Sequence, residues 1–336
     1  MSSAPSVNHQ LRLARRPDGI PADDVWTAHE EPVPQLGDGQ LLVRVELISV
    51  DPAMRGWLSD ARSYIRPVQV GDVMRAIAAG EVVASKNPRF AAGQRVTGMF
   101  GVQEYAVSDG GGVAVADMSL APLEVHLSAL GMTGLTAYFG LLDVGKPREG
   151  DTVVVSAAAG AVGQVVGQIA KIKGCRAIGI AGGEAKCRAV VEEFGFDAAI
   201  DYKQEHVAAR LRELCPDRID VYFDNVGGSI LEAALARLAR HGRVVICGAV
   251  SQYNDASPRG PANYMALLVE RARMEGFLVF DYADRYPEAV ADLARWRQEG
   301  RLRSREHIVD GLQRFPEALR MLFRGENEGK LIVRLA

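Results

Sequence analysis

The sequence has few cysteines, and none of them is spaced to hold a metal ion. Its four cysteines lie singly in the second half of the chain, and the first of them is Cys175. A zinc site normally needs Cys and His ligands at short, repeated spacings. His9, His29 and His126 are isolated, and no GHExxG segment or lobe of four cysteines occurs. The sequence therefore predicts no metal site, and it predicts cysteines that are reduced core residues.

The chain also lacks long apolar runs and an excess of positive charge. No uninterrupted apolar run approaches the roughly 18 residues of a membrane span, and the N-terminal segment MSSAPSVNHQLRLARRPDG has no apolar signal-peptide core. The formal net charge is -3, whereas nucleic acids and acidic membrane surfaces select basic proteins. We therefore expect a cytoplasmic protein that binds a small molecule, with neither nucleic acid nor membrane as a partner.

The most informative segment is DTVVVSAAAGAVGQVVGQIA, residues 151–170. It predicts a short β-branched strand, a turn of small residues and a helix with apolar residues at helical spacing. The turn follows an AxxGxxG pattern through Ala157, Gly160 and Gly163. Gly160 lets backbone approach a pyrophosphate, Gly163 lets the helix sit close to the sheet, and the N–H groups of the helix start face the anion. This pattern predicts dinucleotide binding, although three small residues also occur in ordinary strand–helix turns.

The length of 336 residues favours two domains, each with its own core. Residues 1–122 contain several short strand patterns, one of them at 70–74, and predict a small barrel or sandwich. The segment 313–336, which ends in a strand, is expected to complete this β-rich domain.

The second predicted domain, 123–312, opens with a long helix over 123–142. From residue 151 onward strands alternate with helices, and the sixth strand is predicted at 276–280. Six strands with intervening helices are typical of a doubly wound parallel sheet, so the fold class is α/β, and ligands are expected at the carboxyl ends of the strands.

The residues after the second and third strands indicate which dinucleotide binds. The second strand ends in Ala181-Gly182-Gly183, where NAD-binding proteins carry an acid for the ribose 2′-OH. The glycines leave room, Lys186 follows them, and Tyr202 comes just beyond the third strand. This combination favours the 2′-phosphate of NADP(H). Taken alone, Lys186 is equally an exposed lysine at a helix start.

Two tyrosines are candidate catalytic residues. Without a metal, hydride transfer to a carbonyl compound needs a protein donor for the charge that develops on oxygen, and a phenol is a neutral donor at pH 7. Tyr253, in ICGAVSQYN after the fifth strand, is the first candidate, and Tyr64 of the β-rich domain is the second. Either tyrosine has the alternative role of filling space in a loop. Arg55 is expected to orient the pocket loop or to form a structural ion pair.

With those residues identified, the chain resembles the zinc-independent medium-chain dehydrogenase/reductase superfamily. Within it, the chain is most similar to the prostaglandin reductases, leukotriene hydroxydehydrogenases and bacterial curcumin reductases. The likeness covers nearly the whole length. Its landmarks include SVDPAMRGW (49–57), GMTGLTAYFGLLDVG (131–145), YFDNVGG (222–228) and GENEGK (325–330).

The resemblance implies a GroES-like domain joined to a Rossmann domain, usually in a homodimer. It implies NADPH-dependent reduction of the carbon–carbon double bond of enones and enals, with Tyr253 stabilising the enolate. An NADPH quinone reductase and a non-catalytic NADPH-binding protein are the alternatives. The implied cofactor contacts are Gly160, Ala161, Val162, Gly163, Lys186, Tyr202, Asn225, Cys247, Gly248, Ala249, Ser251, Tyr253, Phe277, Val279 and Asn327.

Two segments depart from the family pattern. Relatives commonly carry tryptophan in place of Val102, and they have more glycine than the segment 74–83, MRAIAAGEVV. We expect these departures to alter the wall of the substrate pocket. The sequence therefore leaves the physiological enone open.

Overall fold

A computed structural model describes residues 7–335 of the chain. They form two compact units, one made of the described residues up to Leu127 together with those from Glu306 onward, the other of Ser128–Arg305. The chain passes from one unit to the other after Leu127 and after Arg305, a few residues from the domain boundaries expected after 122 and 312. The short helix at 123–126 packs with the first unit, and a strand beginning at Glu306 also belongs to it.

The elements are numbered in chain order. The strands are β1 (Val7–Leu13), β2 (Trp26–Pro32), β3 (Leu41–Ser49), β4 (Ala78–Ser85), β5 (Arg95–Gly98), β6 (Tyr105–Ser108), β7 (Ala114–Val115), β8 (Thr152–Ser156), β9 (Arg176–Ala181), β10 (Ala198–Asp201), β11 (Ile219–Asp224), β12 (Leu238–Ile246), β13 (Arg273–Gly276), β14 (Glu306–Asp310) and β15 (Lys330–Arg334). The helices are α1 (Met54–Trp57), α2 (Leu123–His126), α3 (Met132–Phe139), α4 (Gly163–Ile172), α5 (Glu184–Glu192), α6 (Val207–Leu214), α7 (Gly228–Leu235), α8 (Ala266–Glu270), α9 (Tyr286–Gln298) and α10 (Phe315–Arg324). Within residues 7–335, no helix is both long and apolar enough to cross a bilayer.

The second unit is built on a six-stranded parallel sheet in the order β10-β9-β8-β11-β12-β13. The chain winds outward in one direction from β8 and in the other from β11, so the strand order reverses between these two strands. All five residues of β8 are buried, as expected for a β-branched strand at the centre of a parallel sheet. The predicted doubly wound α/β fold is confirmed. Its switch point lies between the neighbouring strands β8 and β11.

Two predicted elements are wrong in their bounds. The sixth strand is β13 and not 276–280, because Arg271, directly after α8, is left-handed (φ 52°) and the chain turns early into the sheet. The predicted helix over 123–142 is divided into α2 and α3. The Thr133 hydroxyl donates to the Ser128 carbonyl at 2.9 Å, and a Cβ on Gly134 would lie 1.9 Å from the Ala129 oxygen, so the chain folds back tightly between the helices.

The first unit is a strand-rich body, which confirms the second part of the predicted fold class. Its main sheet has the order β14-β15-β3-β4-β5-β7, with β6 also paired to β3, and β1 and β2 form a separate antiparallel pair. β15 pairs with β3, which returns the C-terminal tail to this unit. The strand predicted at 70–74 is wrong: Gly71 has a φ of 93°, and of this segment only Val73 forms an isolated bridge, with Arg12.

Candidate active site

The turn after β8 places the start of α4 against its own backbone. Ala157 is left-handed, with a φ of 48°, and its carbonyl accepts a hydrogen bond from the Gly160 N–H at 2.9 Å. A Cβ on Gly163 would lie 2.3 Å from the Ala157 oxygen and 2.8 Å from the Ala158 Cα. Because these are backbone atoms, they cannot rotate away. Position 163 therefore requires glycine.

The three residues before α4 leave its N-terminus accessible. Gly160, Ala161 and Val162 are each partly exposed, whereas the helix behind them is largely buried. A Cβ on Gly160 would meet only the Ala157 carbonyl oxygen, at 3.1 Å, and the Ala157 Cβ, at 4.0 Å. The N–H groups of a ten-residue helix start here and carry partial positive charge. The turn thus has the chemistry of an anion site at the carboxyl edge of the sheet.

The ends of β9 and β10 are joined beside it. The Tyr202 ring covers Gly182 so closely that a Cβ there would lie 2.7 Å from the ring carbon Cε1. The Asp201 carboxylate accepts hydrogen bonds from the Gly183 N–H at 2.8 Å and from the Lys203 N–H at 3.0 Å. Gly182 therefore makes room for the tyrosine, and Asp201 holds the two loops together.

Lys186 and Tyr202 come from these two adjacent loops. Lys186 is partly buried in the first turn of α5, and Tyr202 is 43% exposed immediately after β10. A half-exposed phenol and a lysine that follow neighbouring strands suit a phosphate group, which accepts hydrogen bonds and carries negative charge.

Asp224, the last residue of β11, was not among the predicted site residues. Its carboxylate is 1% exposed, and its Oδ1 accepts hydrogen bonds from the Ser156 hydroxyl and the Tyr222 hydroxyl, both at 3.0 Å. Burial raises the pKa of this carboxyl above its ordinary value, and hydrogen bonds from the Gly227 and Val226 N–H groups oppose that shift. The sequence signal that would have identified it is an acid ending an otherwise apolar strand, YFD.

Asn225 links the same two strand ends. Its backbone N–H donates to the Ser156 hydroxyl oxygen at 2.8 Å, and its side-chain Nδ2 donates to the Ser156 carbonyl at 2.7 Å. The structure therefore places the Asn225 side chain against the end of β8, directly before the glycine turn.

The loop after β12 carries Tyr253. The Tyr253 hydroxyl oxygen accepts a hydrogen bond from the Ala249 N–H at 3.2 Å, and a Cβ on Gly248 would lie 2.7 Å from that oxygen. The Ser251 hydroxyl donates to the Val226 carbonyl at 2.6 Å, which joins this loop to the one after β11. Burial raises the pKa of the Cys247 thiol to about 12, so this cysteine is a neutral thiol near pH 7.

Phe277 and Val279 contribute to packing in the second unit. The Phe277 ring meets the Phe223 ring edge to face, with centroids 6.5 Å apart, and a Cβ on Gly140 would lie 2.5 Å from the Phe277 ring. Val279 is 8% exposed at the start of a short 3-10 segment. The predicted cofactor contact of these two residues stays a prediction.

The remaining predicted residues belong to the first unit. Tyr64 is 51% exposed, and its hydroxyl oxygen accepts a hydrogen bond from the Trp57 Nε1 at 3.4 Å. Asn327 donates from Nδ2 to the Gly329 carbonyl at 2.8 Å in the turn before β15. The Arg55 Nε donates to the Gly19 carbonyl at 2.9 Å, and burial lowers the pKa of this guanidinium.

The departure from the family pattern at Val102 lies in the core. Val102 is fully buried in the apolar cluster of the first unit, and its N–H donates to the Met74 carbonyl at 2.8 Å. In this unit it therefore acts through packing. Over the described part of the chain, no group of three or more His, Cys, Asp or Glu side chains is placed to hold a metal ion.

Two family models match the chain. One, described as the N-terminal domain of oxidoreductase, matches residues 9–115, and the other, described as zinc-binding dehydrogenase, matches residues 161–295. Together they cover most of both units.

Individual relatives match nearly end to end. An NADPH-dependent curcumin reductase of Escherichia coli is 42% identical over 313 residues, which cover 91% of this chain and 90% of that protein. An NADP(+)-dependent 2-alkenal reductase of Nicotiana tabacum is 39% identical and covers 82% of each chain. The crystal structure of CurA from Vibrio vulnificus in complex with NADPH superposes with a TM-score of 0.93 at 42% identity, covering 98% of this chain and 99% of CurA.

Proposed function

Because the chain belongs to the zinc-independent medium-chain dehydrogenase/reductase superfamily, we propose that it is an NADPH-dependent reductase of the carbon–carbon double bond in α,β-unsaturated ketones and aldehydes. One observation carries the proposal. At the carboxyl edge of the parallel sheet, successive strand ends are followed by a glycine turn, by Lys186 and Tyr202, and by the Tyr253 hydroxyl.

The residues at this edge fit NADPH. The turn through Gly160 and Gly163 matches a pyrophosphate, because its backbone is uncovered and the N-terminus of α4 lies behind it. Lys186 and Tyr202 would hold the 2′-phosphate, and the glycines at 182 and 183 stand where an acid would repel it. Asn225 and the loop 247–253 would line the nicotinamide half.

Tyr253 would act on the substrate oxygen. When bound, NADPH supplies the hydride that the β-carbon of the enone receives. The charge that then develops on the carbonyl oxygen would be stabilised by a hydrogen bond from the Tyr253 hydroxyl. Because the Ala249 N–H already donates to the phenol oxygen, the ring is held with its hydroxyl at the strand end. Such a preoriented donor stabilises an enolate more than a mobile water does. The α-carbon then takes a proton from solvent or from a phenol.

A substrate panel tests this function. The purified protein is mixed with NADPH and, separately, with a short enal, an enone, a benzoquinone and the saturated ketone that matches the enone. We expect NADPH absorbance to fall with the enal and the enone only, and mass spectrometry to show two added hydrogens at the double bond. Turnover restricted to the quinone would instead identify a quinone reductase. Tight NADPH binding without turnover of any compound would identify a non-catalytic binding protein.

Replacing Lys186 by alanine is expected to weaken NADPH binding about 10- to 100-fold, the range for losing a charge-assisted hydrogen bond. Affinity for NADH should stay the same, because NADH has no 2′-phosphate. Arg188→Ala is the matched control, since Arg188 is an exposed cation two residues further along α5 and faces another direction. Dissociation constants from fluorescence titration measure both effects. An equal loss of NADPH and NADH affinity would contradict the assignment.

We also propose that the protein is a cytoplasmic homodimer whose copies meet along β13. This strand is the last in the sheet order, and all four of its residues are exposed. Nearby apolar side chains are exposed as well, among them Leu268 at 69% and Val269 at 67%. An open strand edge beside an apolar patch favours pairing with a second copy about a two-fold axis.

The double substitution Leu268→Lys and Val269→Lys is therefore expected to convert the dimer to a monomer. Each copy would bring two lysines to the proposed interface, and their positive charges would repel one another. Light scattering coupled to size-exclusion chromatography measures the mass. Val191→Lys is the control, since Val191 is an exposed valine on α5 in the same unit. A wild-type protein that already has the mass of a monomer would reject the proposal.

A further inference from the structure

Asp224 is a buried carboxyl whose side-chain partners are all neutral. Its Oδ1 accepts hydrogen bonds from the Ser156 and Tyr222 hydroxyls and from the Val226 and Gly227 N–H groups, each at 3.0 Å, and its Oδ2 accepts a second bond from the Gly227 N–H at 3.2 Å. Burying an acid without a cationic partner opposes its ionisation. A residue that is costly to bury and fully hydrogen-bonded calls for an explanation beyond packing.

The side chain of Asp224 joins the end of β8 to the loop after β11 at the switch point of the sheet. Through the Ser156 hydroxyl it reaches the last residue of β8, directly before the glycine turn, and that hydroxyl oxygen also accepts from the Asn225 N–H at 2.8 Å. Through the Gly227 N–H it holds the turn after β11. Gly227 and Gly228 are both left-handed, with φ of 73° and 58°, so this turn departs from extended backbone and depends on such bonds for its shape.

The backbone of Asp224 reaches a third loop. Its carbonyl accepts hydrogen bonds from the Cys247 N–H at 2.9 Å and the Gly248 N–H at 3.1 Å. Gly248 lies directly against the Tyr253 hydroxyl. One residue thus contacts the last residue of β8 and the segments that follow β11 and β12.

We propose that Asp224 is a positioning residue for the cofactor: its carboxylate holds the β8 end and the 225–228 turn in the one arrangement that binds the nicotinamide half of NADPH. This inference rests on the proposed function. The residue acts through Ser156, Asn225 and Gly227, and it need not touch the cofactor itself.

The test compares NADPH affinity with folding stability. In Asp224→Asn one acceptor oxygen becomes an NH₂ group, and because the Gly227 N–H faces both oxygens, that group opposes a backbone donor in either orientation. We therefore expect the dissociation constant for NADPH to rise about 10- to 100-fold. At saturating NADPH the turnover number should change by less than about threefold, because the loop that carries Tyr253 is bonded to the retained backbone carbonyl. Ser156→Ala, which removes the hydroxyl between Asp224 and Asn225, should weaken NADPH binding in the same range.

Tyr138→Phe is the matched control. Like Ser156→Ala, it removes a hydroxyl that donates to a carboxylate inside the second unit, here from Tyr138 to Asp292 at 2.8 Å, but it does so between α3 and α9. It should lower the melting temperature and leave NADPH affinity unchanged. Affinity and melting temperature are measured for all three variants by fluorescence quenching and calorimetry.

The outcomes separate the inference from the proposed function. Wild-type affinity in both Asp224→Asn and Ser156→Ala overturns the inference, as does a loss of affinity in Tyr138→Phe that matches theirs. If Asp224→Asn does not fold, Ser156→Ala decides the question alone. A wild-type protein that fails to bind NADPH at all refutes the proposed function, which is a different result.

Discussion

Replacing Tyr253 by phenylalanine is expected to lower the turnover number with an enone about a hundredfold, equivalent to roughly 3 kcal/mol in the barrier. The substitution removes a single hydroxyl from the loop after β12, and with it the acceptor of the Ala249 N–H, and keeps the aromatic ring. Because that hydroxyl would donate to oxygen only as charge develops there, the loss should appear in the turnover number and not in the KM for NADPH. Steady-state kinetics at saturating NADPH measure it.

The structure supplies a control for this prediction. Tyr264→Phe also removes one hydroxyl from the second unit, but Tyr264 is 60% exposed just before α8 and is not among the residues proposed to bind NADPH or substrate. Its turnover number should equal that of the wild type. If Tyr253→Phe also keeps the wild-type turnover number, Tyr253 does not stabilise the enolate, and Tyr64 becomes the next residue to test.

Replacing Gly163 by alanine is expected to reduce NADPH affinity at least a hundredfold and to destabilise the apoprotein by roughly 1–3 kcal/mol, the usual range for forcing an extra carbon into a packed site. The new Cβ would lie 2.3 Å from the Ala157 carbonyl oxygen, so α4 must move away from the turn. That movement would withdraw the helix N-terminus from the pyrophosphate. Calorimetry of the apoprotein and fluorescence titration with NADPH measure the two effects.

Gly160→Ala separates the two effects, because its Cβ makes a much milder contact with the Ala157 oxygen than a Cβ on Gly163 would. It would lie 3.1 Å from the Ala157 oxygen, a tight but tolerable contact. We expect a nearly unchanged melting temperature together with weaker NADPH binding, because in the proposed site the methyl group would take up space needed by the pyrophosphate. If Gly163→Ala has the stability and affinity of the wild type, the tight turn described here is wrong.

The corrected elements show where prediction from local pattern fails. The apolar residues at 276–280 predicted a strand, yet β13 is formed by Arg273–Gly276, all of whose residues are exposed. A strand at the edge of a sheet is defined by hydrogen bonds to its neighbour, here β12, and does not need an apolar pattern. Likewise, the helix predicted over 123–142 is interrupted because Gly134 packs against the Ala129 carbonyl, a contact that periodicity does not reveal.

The sequence alone determined the class of this protein. The buried β-branched run at 152–155, the AxxGxxG turn and the alternation of strands and helices are local features, because period and turn chemistry depend on neighbouring residues. Only the tertiary structure decided which strand ends lie together. The hydrogen bonds of Asp224 to Ser156 and Gly248, and the contact of Tyr202 with Gly182, join residues far apart in the chain. Such contacts depend on the strand order of the sheet, and no local spacing in the sequence encodes that order.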